Sequence, residues 1–252
     1  MKALIYFTCL VVFQTVFAQK PLPNAHAHND YAHKVPLQEA LSQGFTSVEA
    51  DVWLINNELY ISHNFPKNLT GITLNELYLK PLQKHLQENE GKVYKSYEGV
   101  FFLTIDIKAK GEEVYQVLRK QILEIPDFQH NRYLKIFLSG DRPIETVKND
   151  SLKLTGIDGR PEYLGKGYNT DFMPVISDTY RKFCKWNGVG QMPESEFLTL
   201  QNLAEKVHRE NKKLRLWAIP DNENTWKTLL KAGVDLINTD KLKALNQFLT
   251  EN

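Results

Sequence analysis

The sequence predicts an α/β fold and, within that class, a single (β/α)8 barrel of the TIM type that allows for irregular units. Three observations support this. Apolar runs typical of strands alternate with helical patterns from beginning to end, as expected for parallel βα units. The 252 residues suit one such barrel, and the 42% that are hydrophobic suffice for its core. No low-complexity tract, charge run or linker divides the chain.

The first residues have the pattern of a signal peptide. Lys2 is followed by an apolar run that ends at Ala18, and the small residue there fits cleavage before Gln19. We therefore predict a leader over residues 1–18, one folded domain over residues 19–252, and a secreted or periplasmic protein. No later segment is predicted to be transmembrane.

The chain without its leader is electrically balanced. Removing Lys2 from the 31 basic residues leaves 30, which equals the 30 acidic residues. This balance gives no support to nucleic-acid binding. Cys184 is then the one cysteine left, so an intrachain disulfide is excluded and the fold must depend on its core.

Eight apolar runs are predicted to be the strands: 22–27, 46–54, 100–107, 134–138, 152–157, 173–176, 214–219 and 234–238. Apolar residues that recur at spacings of three and four predict the outer helices: 37–43, 73–87, 112–123, 194–210, 224–231 and 242–249. In such a barrel the carboxyl ends of the strands meet at one mouth. Residues at those ends are therefore the candidates for chemistry.

Ionisable residues follow the first two predicted strands. His26 and His28 share one face at the end of the first, because side chains alternate along a strand. Glu49 and Asp51 share a face at the end of the second, with Cα atoms roughly 6.5 Å apart. A short apolar segment then leads to His63. The sequence therefore predicts imidazoles and carboxylates at one mouth.

The third predicted strand adds Asp106 and Lys108. Buried carboxylates without compensation cost about several kcal/mol each, so the three acids require positive charge among them. A hard cation, Ca²⁺ or Mg²⁺, suits these acids together with the amide oxygen of Asn29, whereas zinc would be expected to recruit the histidines. The alternative is that the acids pair with Lys108 and with nearby arginines.

The segment 24–64 resembles the opening of the phosphatidylinositol-specific phospholipase C-like phosphodiesterase superfamily, which also holds glycerophosphodiester phosphodiesterases and sphingomyelinase D. The shared pattern is a strand-end histidine, a helix that ends in glycine, Glu-x-Asp-Val and a later histidine. This sequence supplies it as His28, Gly44, Glu49 to Val52, and His63. The string 48–54 resembles a branch named for altered inheritance of mitochondria. Segments 214–220 and 232–240 resemble the last strands of glycerophosphodiester phosphodiesterases.

The resemblance implies a metal-dependent phosphoric diester hydrolase that acts on a glycerophosphodiester or a phospholipid head group. His28 and His63 would be the acid and base, and the metal ligands would be Glu49, Asp51 and Asp106, with Asn29 as a further ligand. These roles agree with chemistry, since imidazole titrates near neutral pH and a cation counters charge in the transition state. This sequence departs from the family pattern at two places. The Arg-Gly that usually follows the first histidine of glycerophosphodiesterases is absent, and Asp106 stands where many members have Glu.

Further residues are predicted to contact the substrate: Lys108, Trp217, His26, Arg142 and Arg160. For His26 a structural, hydrogen-bonded role is an equal alternative. For each arginine the alternative is an ordinary ion pair, and for Trp217 it is a place in the core.

Two other functions remain open from the sequence. His26 and His28 also suit an amidohydrolase-like zinc barrel, although such a site needs further histidines at later strand ends, and His85 and His208 lie in helical patterns. The other alternative is a catalytically inactive secreted barrel that binds a phosphodiester.

Overall fold

The computed structural model describes residues 20–67 and 72–251, so the predicted leader, residues 1–18, lies outside the described residues. The strands found there are β1 (Leu22–Ala27), β2 (Phe45–Ile55), β3 (Glu58–Ile61), β4 (Phe101–Ile107), β5 (Leu134–Gly140), β6 (Gly156–Gly159), β7 (Val175–Thr179), β8 (Lys213–Trp217) and β9 (Leu236–Thr239). The α-helices are α1 (Gln38–Ser42), α2 (Lys80–Glu88), α3 (Gly111–Leu123), α4 (Ile144–Asn149), α5 (Glu194–His208), α6 (Glu223–Lys231) and α7 (Leu242–Glu251).

The parallel strands close into a barrel. Within the described residues their order is β1, β2, β4, β5, β6, β7, β8 and β9, and β9 pairs with β1. β3 is antiparallel to β2 and extends it as a hairpin. Helices connect most of the strands, which confirms the predicted fold class. None of the helices in the described ranges is long and apolar enough to span a bilayer.

The unit around β6 is the most irregular. The predicted strand 152–157 is wrong at its start, since Lys153 has a left-handed φ of 51° that interrupts an extended chain. Helix α4, which precedes it, has no counterpart among the predicted helices because six residues give too little periodicity. After β6 the chain forms the short 3₁₀ turn Pro161–Tyr163 before it enters β7.

Two other strand limits differ from the prediction for backbone reasons. β7 begins at Val175 and not at Met173, because Pro174 lacks an N–H for the ladder. β8 ends at Trp217, because Ala218 has a left-handed φ of 56°. The number and order of the strands are unaffected.

The inside of the barrel is layered along the strands. Its floor is a small apolar cluster, separate from the main core, of Phe102, Phe137, Val175 and Leu236. Two residues further along the same strands, the same faces carry buried polar side chains: Thr104, Ser139, Ser177 and Asn238. The barrel thus becomes polar toward its carboxyl end, where the predicted site lies.

Gly140 at the end of β5 has no room for a side chain. Its φ is +69°, and a Cβ there would lie 2.2 Å from the carbonyl oxygen of Ile107. We expect Gly140→Ala to lower the free energy of unfolding by about 2–4 kcal/mol, through left-handed strain and overpacking together. Gly165 has a φ of +79° and no described atom within 4 Å of such a Cβ. Gly165→Ala should therefore cost only about 1 kcal/mol. Urea unfolding of both variants checks this, and equal losses would contradict it.

Candidate active site

In one half of the barrel mouth, several side chains contact Asp51. It stands in register with Asp106 on the neighbouring strand β4. The Lys108 ammonium bridges the two acids, 2.6 Å from Asp51 Oδ2 and 2.8 Å from Asp106 Oδ2. The same Asp51 oxygen accepts from the Tyr31 hydroxyl at 2.7 Å and lies 3.0 Å from His63 Nδ1. The fully buried Asp51 carboxylate therefore contacts a lysine, a tyrosine and a predicted catalytic histidine.

In the other half of the barrel mouth, Glu49 contacts Arg215. Nη1 of this buried arginine lies 2.5 Å from Glu49 Oε2 and 2.9 Å from His26 Nε2. Burial, and then the charge of Arg215, lower the pKa of His26 to about 4, so its ring is neutral. Since a guanidinium can only donate, Nε2 is the acceptor and Nδ1 donates to Ser47 Oγ at 2.7 Å. Nε2 therefore carries no proton to donate to Glu49 Oε2, which lies 3.3 Å away. Both nitrogens of His26 are in use, which favours its structural role.

Asp158 extends this network across the barrel. Its Oδ2 lies 3.3 Å from Arg215 Nη2 and 2.9 Å from Arg160 Nη1. The same oxygen accepts from Ser177 Oγ at 2.6 Å and from Ser139 Oγ at 3.0 Å. Burial opposes charge on Asp158, but the two arginines outweigh it and lower the pKa of the carboxyl. The interior thus holds an ionic layer from β2 to β8.

His28 lies on the same side as these acids. Its Nδ1 is 2.8 Å from Asp240 Oδ1. Burial lowers the pKa of His28, but the hydrogen bond to Asp240 and the charge of Glu49 outweigh burial, so the pKa stands above its ordinary value. The next residue, Asn29, has a left-handed φ of 45°, which asparagine tolerates, and its Oδ1 lies 2.9 Å from the Tyr31 hydroxyl.

The donor set fits a hard cation by its chemistry and its charge. Asp51 Oδ1 is buried and has no hydrogen-bond partner among the described residues. Burial, followed by repulsion from Glu49, raises the pKa of Asp106 even with Lys108 beside it. Carboxylate oxygens without partners are ligands that Ca²⁺ and Mg²⁺ prefer.

The acids are nevertheless paired with protein cations in this structure. Lys108 lies between Asp51 and Asp106, and Arg215 lies against Glu49. In residues 20–67 and 72–251 no three His, Cys, Asp or Glu side chains are already grouped to hold a metal.

The structure brings most of the predicted site residues together, with two at the edge. Trp217 at the end of β8 is 37% exposed, and no hydrogen bond or ring contact joins it to the described acids or histidines. Arg142 follows β5, and its charge interacts with the charges of Arg160 and Asp158.

Important members of the site were not predicted from the sequence: Arg215, Asp158, Asp240 and Tyr31. Arg215 had a usable signal, since it is a charged residue between Leu214 and Leu216 in an apolar strand. Tyr31 and Asp240 follow strand ends and Asp158 lies within β6, and none of the three stands in a distinctive pattern. Their roles come from hydrogen bonds between residues far apart in sequence.

A comparison with protein families identifies the chain. Residues 16–149, just over half of the sequence, match the model of the AIM6-like phosphodiesterase domain. The chain belongs to the AIM6-like phosphodiesterase family. Residues 213–243 of this AIM6-like protein also match the glycerophosphoryl diester phosphodiesterase family. Both matches confirm the resemblance predicted from the sequence, and together they place the AIM6-like protein among phosphodiesterases at the level of the family.

Individual relatives agree. Altered inheritance of mitochondria protein 6 from Eremothecium gossypii is 29% identical, over 90% of this chain and 69% of that protein. The Saccharomyces cerevisiae protein of the same name is 26% identical, over 88% and 69%. A crystal structure of a glycerophosphodiester phosphodiesterase from Parabacteroides distasonis matches with a TM-score of 0.54 and 13% identity, over 92% of this chain and 98% of that one. This structural match shows that the two proteins share the fold.

Proposed function

We propose that this AIM6-like protein is a metal-dependent phosphoric diester hydrolase that acts on a glycerophosphodiester or a phospholipid head group, and that it is secreted or periplasmic. The observation that carries the proposal is the pair His28 and His63. Each ring is held by a carboxylate through Nδ1, and both lie beside acids of β2. Membership of a phosphodiesterase family agrees with this chemistry.

The two histidines are oriented for proton transfer. Among the described residues neither Nε2 atom makes a hydrogen bond, whereas both Nδ1 atoms do. A carboxylate at Nδ1 fixes the tautomer that leaves Nε2 free to exchange a proton. One imidazole accepts the proton of the attacking hydroxyl as its oxygen bonds to phosphorus. The other donates a proton to the leaving oxygen as the old P–O bond breaks.

The attacking hydroxyl has two possible sources. If it belongs to water, the product is an open phosphomonoester. If it belongs to the substrate itself, the product is a cyclic diester. Phosphorus NMR of the product separates the two.

Glu49, Asp51 and Asp106 would hold the cation, Ca²⁺ or Mg²⁺, and Asn29 would add an oxygen ligand. When bound, such an ion stabilises negative charge on the phosphate as a Lewis acid. Lys108, which is half-buried between two of these acids, adds a second positive charge for the phosphate. Burial lowers the pKa of Lys108, but Asp106 and Asp51 outweigh burial and keep the amine protonated.

The zinc alternative has no support from the arrangement of His26. Both of its ring nitrogens are bonded to protein groups, so it has no lone pair for a metal. The inactive binding barrel remains an alternative that only an assay can separate from the enzyme.

If water attacks, we expect the purified protein to hydrolyse bis(p-nitrophenyl) phosphate. If the substrate's own hydroxyl attacks, this diester, which has none, is inert, and glycerophosphoinositol is the diester to assay. In either case a chelator should reduce the rate by about a hundredfold or more, because metal-dependent charge stabilisation is worth several kcal/mol. Readdition of Ca²⁺ or Mg²⁺ should restore the rate. Asp51→Asn should weaken this restoration, whereas the control Asp127→Asn, which changes an acid bonded to glutamines of α2, should not.

Three results would contradict parts of the proposal. A hydrolysis rate that chelator does not change would contradict the proposed metal dependence. Phosphodiester binding without turnover would favour the inactive barrel. Zinc-dependent amide hydrolysis would favour the amidohydrolase.

A further inference from the structure

Two arginines lie at neighbouring strand ends beyond the acids. Arg142 follows β5 and Arg160 follows β6, and these parallel strands pair along the barrel. Both residues therefore belong to the mouth at which the carboxyl ends meet. Burial, and then the charge of Arg160, lower the pKa of Arg142, so the two guanidinium groups are close enough to repel each other.

Arg142 lacks an acidic partner at this place. The acids in the neighbourhood already have partners: Asp158 has Arg215 and Arg160, Asp141 has the Gly111 N–H at 3.0 Å, and Asp178 has Lys182 at 2.6 Å. Glu162, which follows Arg160 on the 3₁₀ turn, is exposed. No salt bridge forms between Arg142 and any acid of the described residues.

Arg142 also carries a buried donor without an acceptor. Its Nε has no hydrogen-bond partner among the described residues, although the guanidinium contacts the Tyr163 side chain. Buried donors are seldom left unpaired, because the lost hydrogen bond to water is then not replaced. An acceptor supplied by a ligand would satisfy this group.

The arginine pair adjoins the proposed catalytic acids on two sides. Arg160 contacts Asp158, which contacts Arg215, which contacts Glu49. On the other side, a Cβ at Gly140, two residues before Arg142, would lie 3.0 Å from Asp106 Oδ1. A ligand held by the arginines would therefore lie at the same mouth of the barrel as a phosphate held by the acids.

We propose that Arg142 and Arg160 form a subsite for a phosphomonoester on the substrate, beside the phosphodiester that is cleaved. A phosphomonoester carries close to two negative charges at neutral pH, and two guanidinium groups match its charge and its oxygen geometry. The inference rests on the proposed function and narrows it. The substrates are phosphodiesters whose head group bears a second phosphate.

Kinetics with a matched pair of substrates tests this. Glycerophosphoinositol 4-phosphate and glycerophosphoinositol differ only in the second phosphate. We expect the protein to prefer the first by at least about tenfold in kcat/KM, as lost charge-assisted hydrogen bonds imply. Arg142→Gln should reduce this ratio to below about threefold, and Arg142→Lys should keep part of it. The control Arg132→Gln, an exposed arginine before the opposite end of β5, should keep the full ratio.

Binding of product-like ligands separates this inference from the proposed function, because it needs no turnover. By calorimetry, inositol 1,4-bisphosphate should bind at least about tenfold more tightly than inositol 1-phosphate, and Arg142→Gln should remove most of the difference. If that holds while neither diester is hydrolysed, the proposed hydrolase fails and the subsite stands. If the two ligands bind the unaltered protein equally, or if Arg142→Gln leaves the difference unchanged, the subsite is overturned.

Discussion

Arg215→Leu is expected to lower the free energy of unfolding by about 3–5 kcal/mol, the largest loss of stability that we expect from one substitution in this barrel. Arg215 is 2% exposed, and its guanidinium contacts Glu49, Asp158 and His26. Leucine would leave the buried Glu49 carboxylate without a positive partner and would leave Asp158 with Arg160 alone. The Arg215 charge lowers the pKa of Glu49 far below its ordinary value although burial opposes this, so Glu49 is ionised at neutral pH.

Urea unfolding measures this loss. The control is Arg209→Leu, which removes an exposed arginine 3.8 Å from Glu205 on α5 and should change stability by less than about 0.5 kcal/mol. Arg215→Lys keeps the charge but not the fork of donors, so it should fall between the two. Similar stabilities for Arg215→Leu and Arg209→Leu would show that Glu49 and Asp158 do not depend on Arg215.

His28→Ala and His63→Ala are each expected to reduce phosphodiester hydrolysis by about 10²–10⁴-fold, the usual contribution of general acid–base catalysis. Both side chains are partly exposed at the mouth, so their removal should change stability little. The loss should lie mainly in kcat, because proton transfer acts in the transition state.

Steady-state kinetics with bis(p-nitrophenyl) phosphate, together with unfolding curves, checks both variants. His130→Asn is the matched control, since this exposed histidine precedes β5 at the opposite end of the barrel and asparagine tolerates its left-handed φ of 57°. Full activity in either alanine variant would remove that histidine from the proposed mechanism.

The strand prediction succeeded where apolar runs were long. β2 and β4 are buried on both faces, and buried parallel strands read as continuous apolar segments. It failed at β6, which has four residues and follows a left-handed Lys153. A four-residue strand is too short for its periodicity to be detected. A left-handed residue other than glycine cannot be recognised from its type alone.

The sequence singled out Glu49, Asp51, His26 and His28 as candidates because they lie on predicted strands, or just after them, at a spacing of two. Such spacing fixes the shared face without knowledge of the fold. The sequence argument also required a positive charge among the acids. Lys108 and Arg215 supply part of it, so the structure bears out the pairing of acids with basic residues, and the cation stays a proposal.

The sequence by itself determined the fold class, most of the strands and helices, and the family, because local periodicity and short motifs are contained in consecutive residues. Only the tertiary structure decided which charges meet. Glu49 and Arg215 are 166 positions apart, and His28 and Asp240 are 212 apart. Barrel closure brings such residues within hydrogen-bond distance. Because the interior has a low dielectric constant, each buried charge is stable only with the partner that closure brings to it.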